Sequence, residues 1–205
     1  MIALVVLSAL SLVGTQARSH GDEIEADLYR YFQAICMDGD ADIDLAEPVA
    51  ESWGFRSSQN LIPEDLYGGG MLTVMSKRDG DLDWRVTLRP FAFSQGGAGS
   101  ISQQTCYVSV NGGDKDRLRD IASSRLGLPS FDVSRAAIIA WAEDGGLREP
   151  IRRISFERNL LSLARSGKLR FVSISKSSDQ LSIGVTAPDP FERCSHSTGE
   201  VVCRK

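Results

Sequence analysis

Residues 71–89 read MLTVMSKRDGDLDWRVTLR, and this stretch decides the fold class. Upstream of it the apolar residues recur at helical spacing, but from Met71 the period becomes alternating, as in a strand with one buried face. Met71–Lys77 and Asp83–Arg89 flank Arg78-Asp79-Gly80-Asp81, whose Asp-Gly pair is a hairpin turn signal. Trp84, Val86 and Leu88 then share the inner face, and Arg85, Thr87 and Arg89 the outer one.

Working outward, Asp22–Met37 carries Ile24, Leu28, Tyr31, Phe32 and Ile35 at three- and four-residue spacing and reads as an amphipathic helix. Its acidic start, Asp22-Glu23-Glu25, suits the positive end of the helix dipole. A shorter helix follows Asp44, which is placed to cap it, with Glu47 completing the capping-box spacing and Gly54 supplying the stop. Downstream of the hairpin, a Gly/Ser-rich loop over 94–102 leads to a strand over 104–110. Asp114 caps a helix to about Leu126, ended by Gly127 and Pro129. Ala136–Ala142 is short and wholly apolar, a buried strand; Ser155–Ser166 is a helix; Lys168–Lys176 and Gln180–Ala187 form a last hairpin across Ser177-Ser178-Asp179. Each half of the chain reads as helix then hairpin, without a repeat at a fixed short period. Hairpins with helices before and between them give an α+β fold, with antiparallel hairpins, helices packed on one side, and a single disulfide-stapled domain.

The charge distribution adds a compartment. The first 17 of the 205 residues carry no charged side chain, so all 23 Lys+Arg, all 27 Asp+Glu and the net charge of −4 fall on the rest. Ile2–Val13, followed by Gly14-Thr15-Gln16-Ala17, has the length and small-residue end of a signal peptide cut after Ala17; a cut after Ser19 is the alternative. That twelve-residue apolar run falls short of the roughly 20 residues that span a bilayer, and no later segment is apolar for longer. The expected organisation is a signal peptide over 1–17, an α+β domain over 18–190 and a cysteine-bearing tail over 191–205. The destination is periplasmic or secreted, with no membrane span in the mature chain. A pI near 5.3 argues against nucleic acid as a partner.

The segments Phe32-Gln33-Ala34-Ile35-Cys36, Asp40-Ala41-Asp42, Ala50-Glu51-Ser52-Trp53-Gly54-Phe55 and Cys106-Tyr107-Val108 together resemble small uncharacterised secreted proteins of alphaproteobacteria, over roughly residues 30–130. In those chains a helix ends in one cysteine and a second cysteine opens a strand downstream. The resemblance implies a periplasmic or secreted location and a Cys36–Cys106 pairing, and it carries over no catalytic residue. The residues themselves agree in one respect. Cys194 and Cys203 are close enough, with Ser197-Thr198-Gly199-Glu200 to turn between them, for a local staple, which leaves Cys36 with Cys106 as one of three possible connectivities. No Cys-x-x-Cys stands in the chain, and Cys194-Ser195-His196 with Cys203 lacks the spacing of a zinc site, so all four cysteines are read as structural disulfides in an oxidising compartment.

Other constellations fail on spacing. Asp40, Asp42, Asp44 and Glu51 occupy positions one, three, five and twelve of a calcium loop, but position six is Leu45 where the turn needs Gly, and position nine is Pro48. A solvated acidic loop beginning at Asp38, which also caps the next helix, is the plainer reading. The two histidines, His20 and His196, lie beside the cleavage site and in the tail, away from any rigid core that would hold a catalytic base. Gly68-Gly69-Gly70 and Gly96-Gly97-Ala98-Gly99 lack the phosphate-loop spacing and serve as connectors. Arg148, Arg152, Arg153 and Arg158 form a basic cluster, read as a solvated face. Asp81, Asp83, Glu143 and Asp144 are the carboxylates a His-independent hydrolase would draw on.

The expectation is a non-enzymatic binding or accessory protein whose partner is an envelope protein or small ligand, with no cofactor, no metal and no catalytic residue assigned. The competing expectation is a periplasmic hydrolase using paired carboxylates.

Overall fold

A computed structural model describes residues 20–58, 72–94, 100–189, 194–197 and 200–203, with side chains over 24–57, 72–90 and 101–189. The leader 1–17, both glycine clusters and the side chains of His20, Cys194, His196 and Cys203 lie outside the described residues.

The expected first helix is α1 (His20–Phe32), continued by a π-turn over Gln33–Met37 in which the Asp38 N–H reaches the Gln33 carbonyl at 3.0 Å. Leu28, Phe32, Ile35 and Cys36 are all essentially inaccessible, so the expected apolar stripe is the buried one. Helix α2 (Ile43–Ser52) starts earlier than expected. Its cap is Asp42, whose Oδ1 accepts from the Asp44 N–H at 2.9 Å, and not Asp44 with Glu47. The cause is the reversal just before it: Asp40 and Ala41 both hold positive φ (52° and 63°), and the Ile43 N–H is taken by the Gln104 Oε1 at 3.1 Å. Pro48 therefore falls within the helix, on its exposed side. Its missing N–H leaves one intrahelical bond unmade there.

One nine-stranded antiparallel sheet carries the domain: β1 (Arg56–Ser58), β2 (Thr73–Asp79), β3 (Leu82–Ser94), β4 (Ser100–Asn111), β5 (Phe131–Val133), β6 (Ala136–Asp144), β7 (Leu147–Pro150), β8 (Leu169–Ser177) and β9 (Gln180–Pro188), in the order β1-β2-β3-β4-β9-β8-β6-β5, with β7 also on β6. The Asp79↔Leu82 register leaves a two-residue turn at the expected place, with Gly80 at φ 59°, a conformation that a β-carbon resists. The order is palindromic in kind. A helix and an antiparallel meander ending in β4 meet a helix and a second meander ending in β9, and the two final strands pair at the centre from Gln103↔Pro188 to Asn111↔Gln180. The strands β10 (Cys194–Ser197) and β11 (Glu200–Cys203) form a separate two-stranded hairpin with Cys194 opposite Cys203.

Strand parity sorts the core into two layers. Trp84, Val86, Leu88, Cys106, Val108, Val110, Val172, Ile174, Leu181, Ile183 and Val185 face α1, α2 and α3 (Lys115–Leu126), and the Cys36–Cys106 disulfide ties the π-turn to β4 across this layer. Tyr31 stands at its end between Trp53, Phe55 and Trp84, with ring centroids 5.0–5.5 Å away. Residues of opposite parity, Ile138, Ala140, Leu169 and Phe171, pack on the other face with Phe156 and Ala164 of α4 (Arg153–Arg165). Three helices thus share one face and α4 covers part of the other. This explains the unbroken apolar run of β6, since a strand covered on both sides has no solvent face to alternate with. Each large side chain fully buried in these layers contributes roughly 1.5–3 kcal/mol.

Candidate ligand groove

The site is built on α1 and α3, which lie side by side and parallel on the sheet. Asp114 caps α3 as expected, its Oδ1 accepting from the Arg117 N–H at 2.8 Å. What fixes α3 against α1 is Glu25. Its carboxylate is 2 % exposed, its Oε1 accepts from the Asp114 N–H at 2.5 Å, and its Oε2 lies 3.8 Å from the Arg117 Nε. A carboxylate at this position meets the unpaired N–H groups and the positive end of the α3 dipole. The acidic start of α1 therefore serves the neighbouring helix as well as its own. Gly113 adjoins the clasp, where a β-carbon would meet Leu181 at 2.7 Å.

Between the solvent faces of the two helices runs a groove of about 1160 Å³. Small or apolar side chains, Ala26, Ala34, Ile121 and Ser124, hollow it out, and Tyr29 enters from α1. The Tyr29 hydroxyl donates to the Gln33 Oε1 at 3.1 Å, and the Gln33 amide donates to the Asp38 Oδ1 at 2.5 Å, so a polar relay follows the α1 wall into the π-turn. Burial pushes the Tyr29 phenol above its ordinary value, opposed by the positive charges of Arg125 and Arg148 and reinforced by Asp38. The phenol stays protonated through the neutral range and acts as a hydrogen-bonding group. The charged walls are largely paired locally: Asp27 with Arg30 at 3.1 Å, Asp120 with Arg119 at 3.2 Å, and Arg117 inward to Glu25. Arg30 also lies over the Tyr31 and Trp53 rings, at 5.7 and 5.6 Å.

A second polar cluster closes the adjoining end of the molecule. The Arg170 guanidinium, whose side chain is 15 % exposed, donates to both Asp40 oxygens at 2.7 and 2.6 Å, and its Nε lies 3.6 Å from the Glu143 Oε2. Glu143 accepts from the Trp141 indole at 3.1 Å, and Arg148 lies 3.9 Å from Glu143 and over the Trp141 ring at 5.3 Å. Burial lowers the Arg170 pKa, but the Asp40 hydrogen bond and the Asp40 and Glu143 charges outweigh it, and the net displacement is upward. Every member is held by another, which is the pattern of a clasp between the 38–42 loop and the end of the β6–β8 strand pair.

The acidic run thus divides its work. Asp38 accepts from Gln33, Asp40 pairs with Arg170 and Asp42 caps α2. Among the described residues no group of three or more His, Cys, Asp or Glu is arranged to hold a metal ion. The four carboxylates considered for a hydrolase are not brought together. Asp83 lies one residue before the Trp84↔Val110 pair, level with Asn111↔Gln180↔Ser177, whereas Glu143 follows the Ala142↔Leu169 pair at the opposite end of β8. Eight residues of strand separate the two ends, about 26 Å at 3.3 Å per residue. Asp83 is engaged by Arg78 at 2.9 Å, and Asp144 by Lys168 at 2.6 Å. Glu143 and Asp144, adjacent on β6, project from opposite faces. In the basic cluster, Arg153 pairs with Glu157 at 2.9 Å and Arg148 joins the Glu143 cluster.

Tyr29, Arg125 and Arg170 had no signal of their own in the sequence, Gln33 showed only within the Phe32–Cys36 segment, and Glu25 showed only as part of the acidic start of its own helix. Each is an ordinary member of a helix or strand, distinguished only by what a distant segment places beside it. Comparison with protein-family models, with curated proteins and with solved structures finds no match.

Proposed function

We propose that this chain is a non-enzymatic binding or accessory protein whose recognition surface is the α1–α3 groove, and that it resides in the periplasm or the extracellular space, the location implied by the resemblance to secreted alphaproteobacterial proteins. The observation that carries the reading is the electrostatic state of the groove: local partners hold most of its charges, and its phenol is displaced upward, away from the neutral range. General acid–base work needs a group poised near the working pH, and docking needs shaped, satisfied polar walls around an apolar floor. The Cys36–Cys106 disulfide supports export, because such bonds persist in oxidising compartments. Among the described residues, no helix is long and apolar enough to cross a membrane, which is compatible with that location.

The test is a blocked groove. Ser124 is exposed on the α3 wall, so Ser124→Trp fills the groove without touching the core. Wild type and variant, both checked for native circular dichroism, are used to capture components from the native envelope fraction, quantified by mass spectrometry. Components retained by wild type and lost with Ser124→Trp support the reading. An identical captured set refutes it.

A further inference from the structure

Resting on that groove reading, the charges of its two walls point to a specific occupant. Along α1 the wall runs Asp27, Arg30, Asp38, negative, positive, negative; along α3 it runs Arg117, Asp120, Arg125, positive, negative, positive. The Glu25 clasp onto Asp114 and Arg117 sets the start of α3 level with Glu25, five residues into α1. At 1.5 Å per residue the three charges of one wall then stand roughly opposite the three of the other. The ion pairs these six residues make with other described residues do not bridge the groove: they run along a helix or inward to Glu25.

We infer that the groove is the contact face of a homodimer, in which α1 of each copy lies along α3 of the other.

Symmetry selects one arrangement. A two-fold axis running along the groove lays α1 of one copy over α3 of its partner, parallel and with the rows in the same order, so every negative charge meets a positive one. An axis running across the groove instead lays α1 over α1 in reverse order. Centred on the row, this sets Asp27 against the partner's Asp38, like against like; centred between the first two charges, it pairs Asp27 with Arg30 and Arg117 with Asp120 but leaves Asp38 and Arg125 unmatched, whereas the first arrangement matches all three rows. The first arrangement is self-complementary, as an isologous interface requires, and Ala26, Ala34 and Ser124 let the helices approach closely. About a dozen residues line the groove, fewer than the roughly 20–30 a side of a standard interface. The association is therefore weak and concentration-dependent, and salt weakens it further.

Sedimentation of the oxidised protein from 10 µM to about 1 mM, at low and at physiological salt, reads it directly. Wild type is expected to shift reversibly from monomer to dimer, with the dissociation constant rising severalfold in the higher salt. Two variants then separate this contact from any other. Asp120→Arg/Arg125→Glu reverses the α3 wall, and Arg30→Glu/Asp38→Arg reverses the α1 wall. Each alone sets like charges together and is expected to weaken the dimer at least tenfold. Mixed one to one, reversed wall meets reversed wall and native meets native, and a heterodimer is expected to return. Recovery on mixing cannot come from an unfolded variant. Wild type monomeric throughout the range, either variant dimerising as wild type does, or no recovery on mixing would each overturn the inference. Failure here leaves the groove reading to the Ser124→Trp capture experiment, which does not depend on self-association.

Discussion

Tyr107 lies flat across the sheet, and the one position that permits this is Gly184. Tyr107 on β4 is in register with Gly184 on β9, and Gly184 with Ser173 on β8; the Tyr107 hydroxyl reaches the Ser173 Oγ at 3.5 Å, so the ring crosses β9 over the glycine. A β-carbon at 184 would sit 2.0 Å from the ring Cδ1 and 2.4 Å from Cε1. Gly184→Ala must therefore lift the ring off the sheet, an overpacking change that costs roughly 1–3 kcal/mol. Glycine inside a strand otherwise carries an entropic penalty, and Gly184 does not hold a positive φ, so alanine's backbone is at home there. Remove the ring first, with Tyr107→Ala, and the same Gly184→Ala change becomes stabilising by roughly 0.5–1 kcal/mol. The sign reverses between the two backgrounds, giving a coupling of about 1.5–4 kcal/mol in a double-mutant cycle. Thermal or urea unfolding followed by circular dichroism measures it, with Tm moving about 2–4 °C per kcal/mol in a domain of this size. Gly184→Ala neutral in the wild-type background, or equally destabilising without the ring, would refute the packing argument.

Four further outcomes follow from other parts of the chain. Replacing Cys36 and Cys106 together by alanine opens a cross-link spanning 70 residues and should lower stability by about 4 kcal/mol on the chain-entropy account, read by denaturant unfolding; a change under 1 kcal/mol would contradict it. If Cys194 and Cys203 also pair, intact mass after alkylation of exported protein shows no free thiol, and two alkylated cysteines would refute that second bond. Asp40→Asn keeps a side chain that tolerates positive φ but removes the charge facing Arg170; because Asp40 is half exposed the expected loss is only about 1 kcal/mol, shrinking with salt, and a salt-independent loss would count against the clasp. Tyr29 gives a pH signature. Its folded-state pKa is raised above 10.0, so the folded state holds the proton more tightly, and its stabilisation is complete below pH 10 and lost as pH rises through the folded value. Tyr29→Phe should flatten the decline in stability above pH 10, and an unchanged alkaline slope would refute that assignment.

The elements were legible wherever one local rule governed them. The hairpin over 71–89 showed in its Asp-Gly turn and in the alternation of Trp84, Val86 and Leu88, and α3 in Asp114 and Gly127, because turn and cap chemistry act within a few residues. The start of α2 was displaced because two rules competed: Asp44 has the capping-box spacing, but consecutive left-handed residues at 40 and 41 and the reach of Gln104 from β4 decide where the helix begins. Short β1, β5 and β7 were missed, since three or four residues hold no period and depend on a neighbouring strand to pair with.

By itself the sequence determined the α+β class, the two long hairpins, the buried faces of their strands and the residues able to cross-link, all consequences of side-chain period and backbone preference over short spans. The tertiary structure alone decided that β4 and β9 meet at the sheet centre, that α4 takes the second face, and that Glu25 draws α3 alongside α1, while the Cys36–Cys106 disulfide is the pairing already expected from the sequence. The groove between those two helices exists only because residues about ninety positions apart share one clasp. Contacts of that range leave no local pattern, because the energy that selects them is the burial of the whole sheet and not the preference of any one segment.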